Sequence, residues 1–166
     1  MKREPPRKPV GDLTYWCGGK VDENSITLRI IGDELNPDTI SGLLGCQPTR
    51  GQRKGDILPD KRFHRTAKFG LWCLKIDRTS EHTLQEQIKV LFSKLPDDLS
   101  IWQHITTTAH AELFCGLWLK TWNREFDISP DLLMQIAQRN LTLRFDIYFE
   151  GEEDKHAGYD TGRILC

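Results

Sequence analysis

The most concentrated charge in the sequence lies in residues 50–68, which we call the basic loop. Its two glycines, Gly51 and Gly55, let the backbone approach a ligand closely. Seven cations against two aspartates give it a local excess of five positive charges: Arg50, Arg53, Lys54, Lys61, Arg62, Arg65 and Lys68. Such a loop predicts a site for phosphate or for an acidic protein surface. The alternative interpretation is a solvated loop whose charges only maintain solubility.

A complementary acidic segment lies near the other end of the chain. Over residues 146–160, six carboxylates face a single lysine, which is a local excess of five negative charges. Pairing with the basic loop inside one chain is one expectation, and self-association into a homo-oligomer through the two patches is the other. The order of the acids does not follow the D-x-[DN]-x-[DN]-G pattern of a calcium loop.

Histidines and cysteines form no catalytic or metal-binding pattern. The five histidines include no HxH, HxxxH or HExxH pair, and the five cysteines include no CxxC pair. Nucleophile-elbow and phosphate-loop motifs are also missing from the sequence. We therefore predict no cofactor, no metal ion and no catalytic residue. A small enzyme that uses His104 or His110 with Glu112 is kept as an alternative.

The hydrophobic pattern predicts the elements that position these residues. Alternation over residues 25–31 indicates a first strand. Asn36, followed by proline and aspartate, predicts a helix start, and Gly45 predicts its end. The same chemistry returns at Ser129, so the chain contains either an internal duplication or two helices that obey the same capping rules.

The remaining patterns complete an α+β order. Residues 69–76 read as a buried strand, Thr83 opens a second helix, and strands follow at 99–107, 111–119 and 141–149, the first two joined in a hairpin. The order is β-α-β-α-β-β-α-β. We expect a ferredoxin-like fold with a mainly antiparallel sheet of about five strands and three helices on one face.

The expected sheet exposes aromatic side chains on the face away from the helices. If Leu113, Cys115 and Leu117 point to the core, the opposite face carries Trp102, His104, Glu112, Phe114, Trp118, Arg144 and Tyr148. One interpretation is a platform on which single-stranded RNA bases stack. The other is a surface covered by Tyr15 and Trp16 of the N-terminal segment, or by a partner.

Length and composition favour one domain with extensions. The chain has 166 residues and a net charge of −1, which argues against a dedicated nucleic-acid protein. We divide it into a proline-rich extension at 1–24, one α+β domain at 25–150 and an acidic tail at 151–166. An odd number of cysteines predicts free thiols, with Cys73 and Cys115 buried, and a cytoplasmic location. No apolar run is long enough to span a membrane.

Three segments of the sequence share a pattern with a known family: the run LRIIGDELNPDTISGLLGCQPTRGQRKGD, the strand FGLWCLKI and the late segment SPDLLMQIAQRNLTLRFDIYFE. Together they resemble the bacterial domain-of-unknown-function 4279 family. The resemblance covers most of residues 26–149. Its most specific parts are the G-D-E-L-N-P-D opening, Pro48-Thr49, Lys54-Gly55-Asp56 and Trp72. It implies a small bacterial α+β domain and transfers no catalytic residue, because the family has no established activity. Small bacterial domains of this kind often act as immunity or accessory proteins.

Our leading hypothesis is therefore a protein-binding module, of the immunity type that neutralises a toxin. Its contact residues would be Arg50, Arg53, Lys54, Lys61, Arg62, Arg65, Trp72, Trp102, Phe114 and Trp118. The alternative is a nucleic-acid or nucleotide-phosphate binder that uses the basic loop.

Overall fold

A computed structural model describes residues 19–58 and 65–151. Its main sheet has five strands in the order β2-β5-β1-β6-β7. These are β1 (Glu23–Gly32), β2 (Arg50–Gln52), β5 (Gly70–Thr79), β6 (His110–Leu119) and β7 (Thr142–Phe149), while β3 (Ile57–Leu58) and β4 (Arg65–Thr66) form a separate short ribbon. Three of the pairings are antiparallel, and β6 and β7 are parallel, so the sheet is mixed.

The described chain contains four helices, one more than the sequence predicts. They are α1 (Pro37–Leu44), α2 (Leu84–Phe92), α3 (Leu99–Thr108) and α4 (Pro130–Gln138). All four contribute side chains to a single apolar cluster with one face of the sheet, so they cover the same face. The crossover through α4 explains why β7 runs parallel to β6.

The predicted helix caps are confirmed. Asn36 accepts a hydrogen bond from the Asp38 backbone N–H, and Gly45 ends α1 in the left-handed region at φ 69°. Thr83 and Glu86 form the capping box of α2, and Ser129 caps α4. Each cap satisfies backbone donors that the first turn of a helix leaves without partners.

The predicted strand at 99–107 is wrong, and so is the hairpin that followed it. Asp98 caps α3, and Trp102 and Ile105 lie three residues apart on its buried side. Three consecutive threonines favour a strand by propensity. In α3, however, their hydroxyls donate to carbonyls one turn earlier, for example Thr106 Oγ1 to the Trp102 oxygen at 2.9 Å. Packing of Trp102 into the core decides the local structure over propensity.

Candidate functional site

Among the described residues, the four helices cover one face of the main sheet and leave the other face without a helix. Cross-strand pairs place Arg29 between Cys73 and Glu112, and they place Phe114 between Thr27 and Arg144. We call this surface the open sheet face and define it by Thr27, Arg29, Arg50, Cys73, Lys75, His110, Glu112, Phe114, Trp118, Arg144, Asp146 and Tyr148. Three further charged groups lie on the same face: Glu23 pairs opposite Trp118, Arg78 lies over the Trp118 ring, and Asp77 is bonded to Lys75. The face therefore carries five Lys or Arg side chains and four carboxylates.

Glu112 lies at the centre of the charges on the open sheet face. Its side chain is only 4% exposed, and its carboxylate accepts a hydrogen bond from Arg144 Nε at 2.9 Å. Arg29 Nη1 lies 3.4 Å from Oε1, and His110 Nε2 lies 3.3 Å from Oε2. Burial raises the pKa of Glu112, but the hydrogen bonds from Arg144 and His110 and the charge of Arg29 outweigh it and lower the pKa overall. The carboxylate is thus ionised at neutral pH and orients the cations around it.

Guanidinium groups and a neighbouring ring already occupy the aromatic faces. The Arg29 guanidinium carbon lies 3.5 Å from the centroid of the Phe114 ring. The Trp118 ring is stacked on Tyr148 at 5.1 Å with an interplanar angle of 10°, and Arg78 lies over it at 4.3 Å. Arg78 in turn donates to both carboxylate oxygens of Glu150. Cation–π and charge-assisted contacts together hold these rings in one arrangement.

The basic loop is divided between two environments. Arg50 lies on β2 opposite Cys73 and so belongs to the open sheet face. Arg53 is paired with Asp38 at 2.6 Å and Lys54 with Asp33 at 3.0 Å, which ties the loop to the region around α1. Arg65 is exposed on β4. Lys61 and Arg62 lie outside the described residues, as do the N-terminal Tyr15 and Trp16.

The acidic segment does not pair with the basic loop within the described residues. Its Glu150 bonds to Arg78, and its Asp146 accepts from the Tyr148 hydroxyl. The remaining carboxylates of that segment lie beyond residue 151. The partners of Arg53 and Lys54 come instead from residues 33–38, which are close in sequence.

Two tryptophans predicted as contact residues are core residues. Trp72 has no exposed surface, and its Nε1 donates to Ser41 Oγ at 3.1 Å. Trp102 is also fully buried, and its Nε1 donates to the Pro96 oxygen at 2.9 Å. The placement of Trp102 and His104 on the sheet was wrong, because both lie on α3. Neither tryptophan presents surface to a partner.

Sequence reasoning missed the two arginines that cover the aromatic rings. Arg29 alternates with the buried Leu28 and Ile30 on β1. This alternation places Arg29 on the face away from the core, and the pairing of β1 with β6 then brings it opposite Glu112. The position of Arg78 follows from the irregular register between Asn24 and Ile26, for which the sequence has no signal.

The histidines and cysteines of the described chain suggest no metal centre. Within residues 19–58 and 65–151, no group of three or more His, Cys, Asp or Glu side chains is placed to hold a metal ion. His110 contacts Glu112, whereas His104 lies on α3 on the opposite side of the sheet. Cys73 and Cys115 are buried free thiols, as predicted, and burial raises the pKa of Cys115 to about 12.

Comparison with known proteins places the chain in a family. None of the helices in the described part of the chain is long and apolar enough to cross a membrane. No curated protein and no solved structure matched the chain. The model of one family, described as a domain of unknown function (DUF4279), matches residues 22–150, which span all the elements from β1 to β7. The chain therefore belongs to the DUF4279 family.

Proposed function

We propose that this chain is a non-catalytic protein-binding module and that the open sheet face contacts its partner. The observation that carries this proposal is a pair of ordered groups on one face: Arg29, Phe114 and Arg144 near the buried Glu112, and Trp118 held between Tyr148 and Arg78. Tryptophan, tyrosine and arginine are the residue types that dominate binding energy at protein interfaces. Side chains that are ordered before binding lose less conformational entropy when a partner docks.

The charge of the open sheet face indicates the kind of partner. Around Glu112, the cations Arg29, Arg50 and Arg144 stand against this single carboxylate, which leaves a local excess of positive charge. Arg50 extends this positive charge onto β2, whereas the charge of Lys75 is paired with Asp77 at 3.4 Å. An acidic protein surface complements this pattern. A toxin that the chain neutralises, as an immunity-type protein would, is one partner of this class.

The same geometry disfavours single-stranded RNA as the ligand. Bases bind such proteins by stacking on free aromatic faces. Here Arg29 lies over Phe114, and Arg78 and Tyr148 lie against Trp118, so a base would have to displace them. In the basic loop, Arg53 and Lys54 are neutralised by aspartates, which weakens phosphate binding there as well.

A charge-reversal pair tests the proposed surface. Lys75→Glu reverses an exposed charge on the open sheet face, and Lys89→Glu makes the same change on α2, on the opposite side. Arg65→Glu tests the basic loop. Tagged variants would be used to isolate partners from the native host after nuclease treatment, with circular dichroism as the check on folding. We expect one specific protein to be lost with Lys75→Glu and retained with Lys89→Glu and Arg65→Glu.

Two results would contradict the proposal. Loss of the partner with Arg65→Glu and not with Lys75→Glu would move the site to the basic loop. Salt-dependent binding of single-stranded RNA that Lys75→Glu abolishes, with no protein recovered, would replace the protein partner with nucleic acid.

A further inference from the structure

The outer half of β7 leaves apolar surface uncovered. Phe145, Ile147 and Phe149 stand opposite Cys115, Leu117 and Leu119, so they point to the side that the helices cover. The core includes Leu141 and Leu143 but extends no further along β7. Ile147 is consequently 60% exposed. An apolar patch of this kind marks an interaction surface.

Neighbouring aromatic side chains enlarge this patch. The Phe126 ring lies 5.0 Å from Phe145, and the Trp122 ring lies 6.0 Å from Phe149. Trp122 itself is 86% exposed. Leu133 and Met134 are also exposed on α4, the helix that follows this aromatic loop and packs near β7. The apolar surface therefore continues from the sheet edge onto the adjoining loop and helix.

The edge of β7 also carries backbone groups that can pair. In the described part of the chain, β7 pairs only with β6. Glu150 donates its backbone N–H to the Leu119 oxygen of β6. Since the direction of backbone groups alternates along a strand, those of Leu143, Phe145 and Ile147 point to the outer edge. An eight-residue edge of this kind is a template for another strand.

We propose that two copies of this chain pair antiparallel through β7. Residues opposite each other in an antiparallel pair lie on the same face, so a two-fold pairing must be centred on a residue. Two registers pair almost the whole strand with its copy. The register centred on Phe145 pairs residues 142–148, and the register centred on Asp146 pairs residues 143–149.

Charge selects the register centred on Phe145. That register places Arg144 opposite the partner's Asp146 twice, and it places Leu143 opposite Ile147. The register centred on Asp146 instead places two aspartates opposite each other, which is destabilising. Arg144 bonds to Glu112 only through Nε and is 56% exposed, so its guanidinium can also reach a carboxylate across the pair. The apolar side chains beyond Leu143 would then be covered by the second copy.

The pairing extends the sheet and doubles the proposed binding surface. Two five-stranded sheets joined at β7 form one continuous sheet, with both open sheet faces on the same side. Such a dimer would present two contact surfaces to a partner. The pairing through β7 does not depend on the proposed function.

Sedimentation of the full chain tests the dimer. We expect the wild-type protein to sediment at twice the chain mass of 19.2 kDa, and we expect the fraction of monomer to rise as the protein is diluted. Asp146→Arg would place arginines opposite each other and raise the dissociation constant by at least about tenfold. Asp77→Arg makes the same change on a 95% exposed carboxylate of β5, and we expect it to leave the dimer intact.

Hydrogen exchange on the wild type provides a second measurement that needs no variant. The amides of Leu143, Phe145 and Ile147 are expected to gain protection as the protein concentration rises. A chain that sediments as a monomer at all concentrations would overturn the proposal, and so would a dimer that Asp146→Arg leaves unchanged. Concentration-independent protection in a monomer would show that another segment of the same chain covers the edge.

Discussion

Replacing Glu112 with glutamine tests the carboxylate that positions Arg29 and Arg144 on the open sheet face. Glu112→Gln keeps the shape of the side chain and removes its charge. Arg29 and Arg144 bond to different oxygens of Glu112, so the amide nitrogen of glutamine must face one of these guanidinium groups, which cannot accept a hydrogen bond. The side chain is nearly fully buried, so water does not compensate for the lost contacts.

The expected loss of stability follows from the contacts of Glu112. It accepts one short bond from Arg144 at 2.9 Å and has longer contacts with Arg29 at 3.4 Å and His110 at 3.3 Å. A hydrogen bond to a charged group contributes roughly 1.5–3 kcal/mol. Both arginines are partly exposed and therefore screened by solvent, so we count the lower end and expect a loss of about 2 kcal/mol in the free energy of unfolding.

The loss should depend on pH with a defined sign. The pKa of Glu112 in the folded chain lies below its ordinary value of 4.5. A group with a lowered folded pKa contributes stability above its unfolded pKa and loses it as the pH falls through the folded pKa. The difference between wild type and Glu112→Gln is therefore full at pH 7 and shrinks below pH 4.5.

Urea unfolding followed by tryptophan fluorescence measures this difference directly. Titrations at pH 7 and at several values below pH 4.5 would compare wild type, Glu112→Gln and Glu34→Gln, which makes the same change at an exposed site. Equal stability of wild type and Glu112→Gln at pH 7 would refute the role given to Glu112. A stability difference that stayed constant on acidification would refute the electrostatic reason for it.

Two further predictions concern packing between α1 and β5 and the residues at that contact. Gly70→Ala should lower the free energy of unfolding by about 3 kcal/mol, because an added Cβ would overlap the Leu35 carbonyl oxygen. The matched change Gly42→Ala should instead stabilise α1 by up to about 1 kcal/mol, because the space around its Cβ is open. Ser41→Ala removes the acceptor of the buried Trp72 indole N–H and should cost about 2 kcal/mol, seen as a fall of roughly 6 °C in Tm. Thermal unfolding by circular dichroism checks these variants, and an unchanged Tm for Gly70→Ala would contradict the close packing of this strand.

The parts of the fold that local chemistry determines were predictable from the sequence. Asn36 and Gly45 bound α1 because a cap and a left-handed glycine act within a few residues. Phe114 and Trp118 were placed on the open sheet face by strand parity alone. In contrast, residues 99–108 have a β-branched run whose strand propensity is overruled by burial of Trp102, which depends on tertiary packing.

The candidate site was predictable only in part, because its contacts join residues distant in sequence. Arg29 and Glu112 meet only through the pairing of β1 with β6. Arg53 and Lys54 contributed to a predicted charge excess, yet the fold pairs them with Asp38 and Asp33. Counting charges along the chain could not anticipate this neutralisation, since it depends on how the basic loop returns to α1.

The affinity of the isolated partner for Trp118→Ala tests the central claim most directly. Trp118 lies among the cations of the open sheet face, and truncation of an interface hot spot costs at least about 2 kcal/mol, or roughly thirtyfold in Kd. We predict a loss of this size for Trp118→Ala and an unchanged Kd for Lys89→Glu, measured by calorimetry on variants with native circular dichroism. A folded Trp118→Ala variant that binds the partner as tightly as wild type would contradict the proposal that this face is the binding surface.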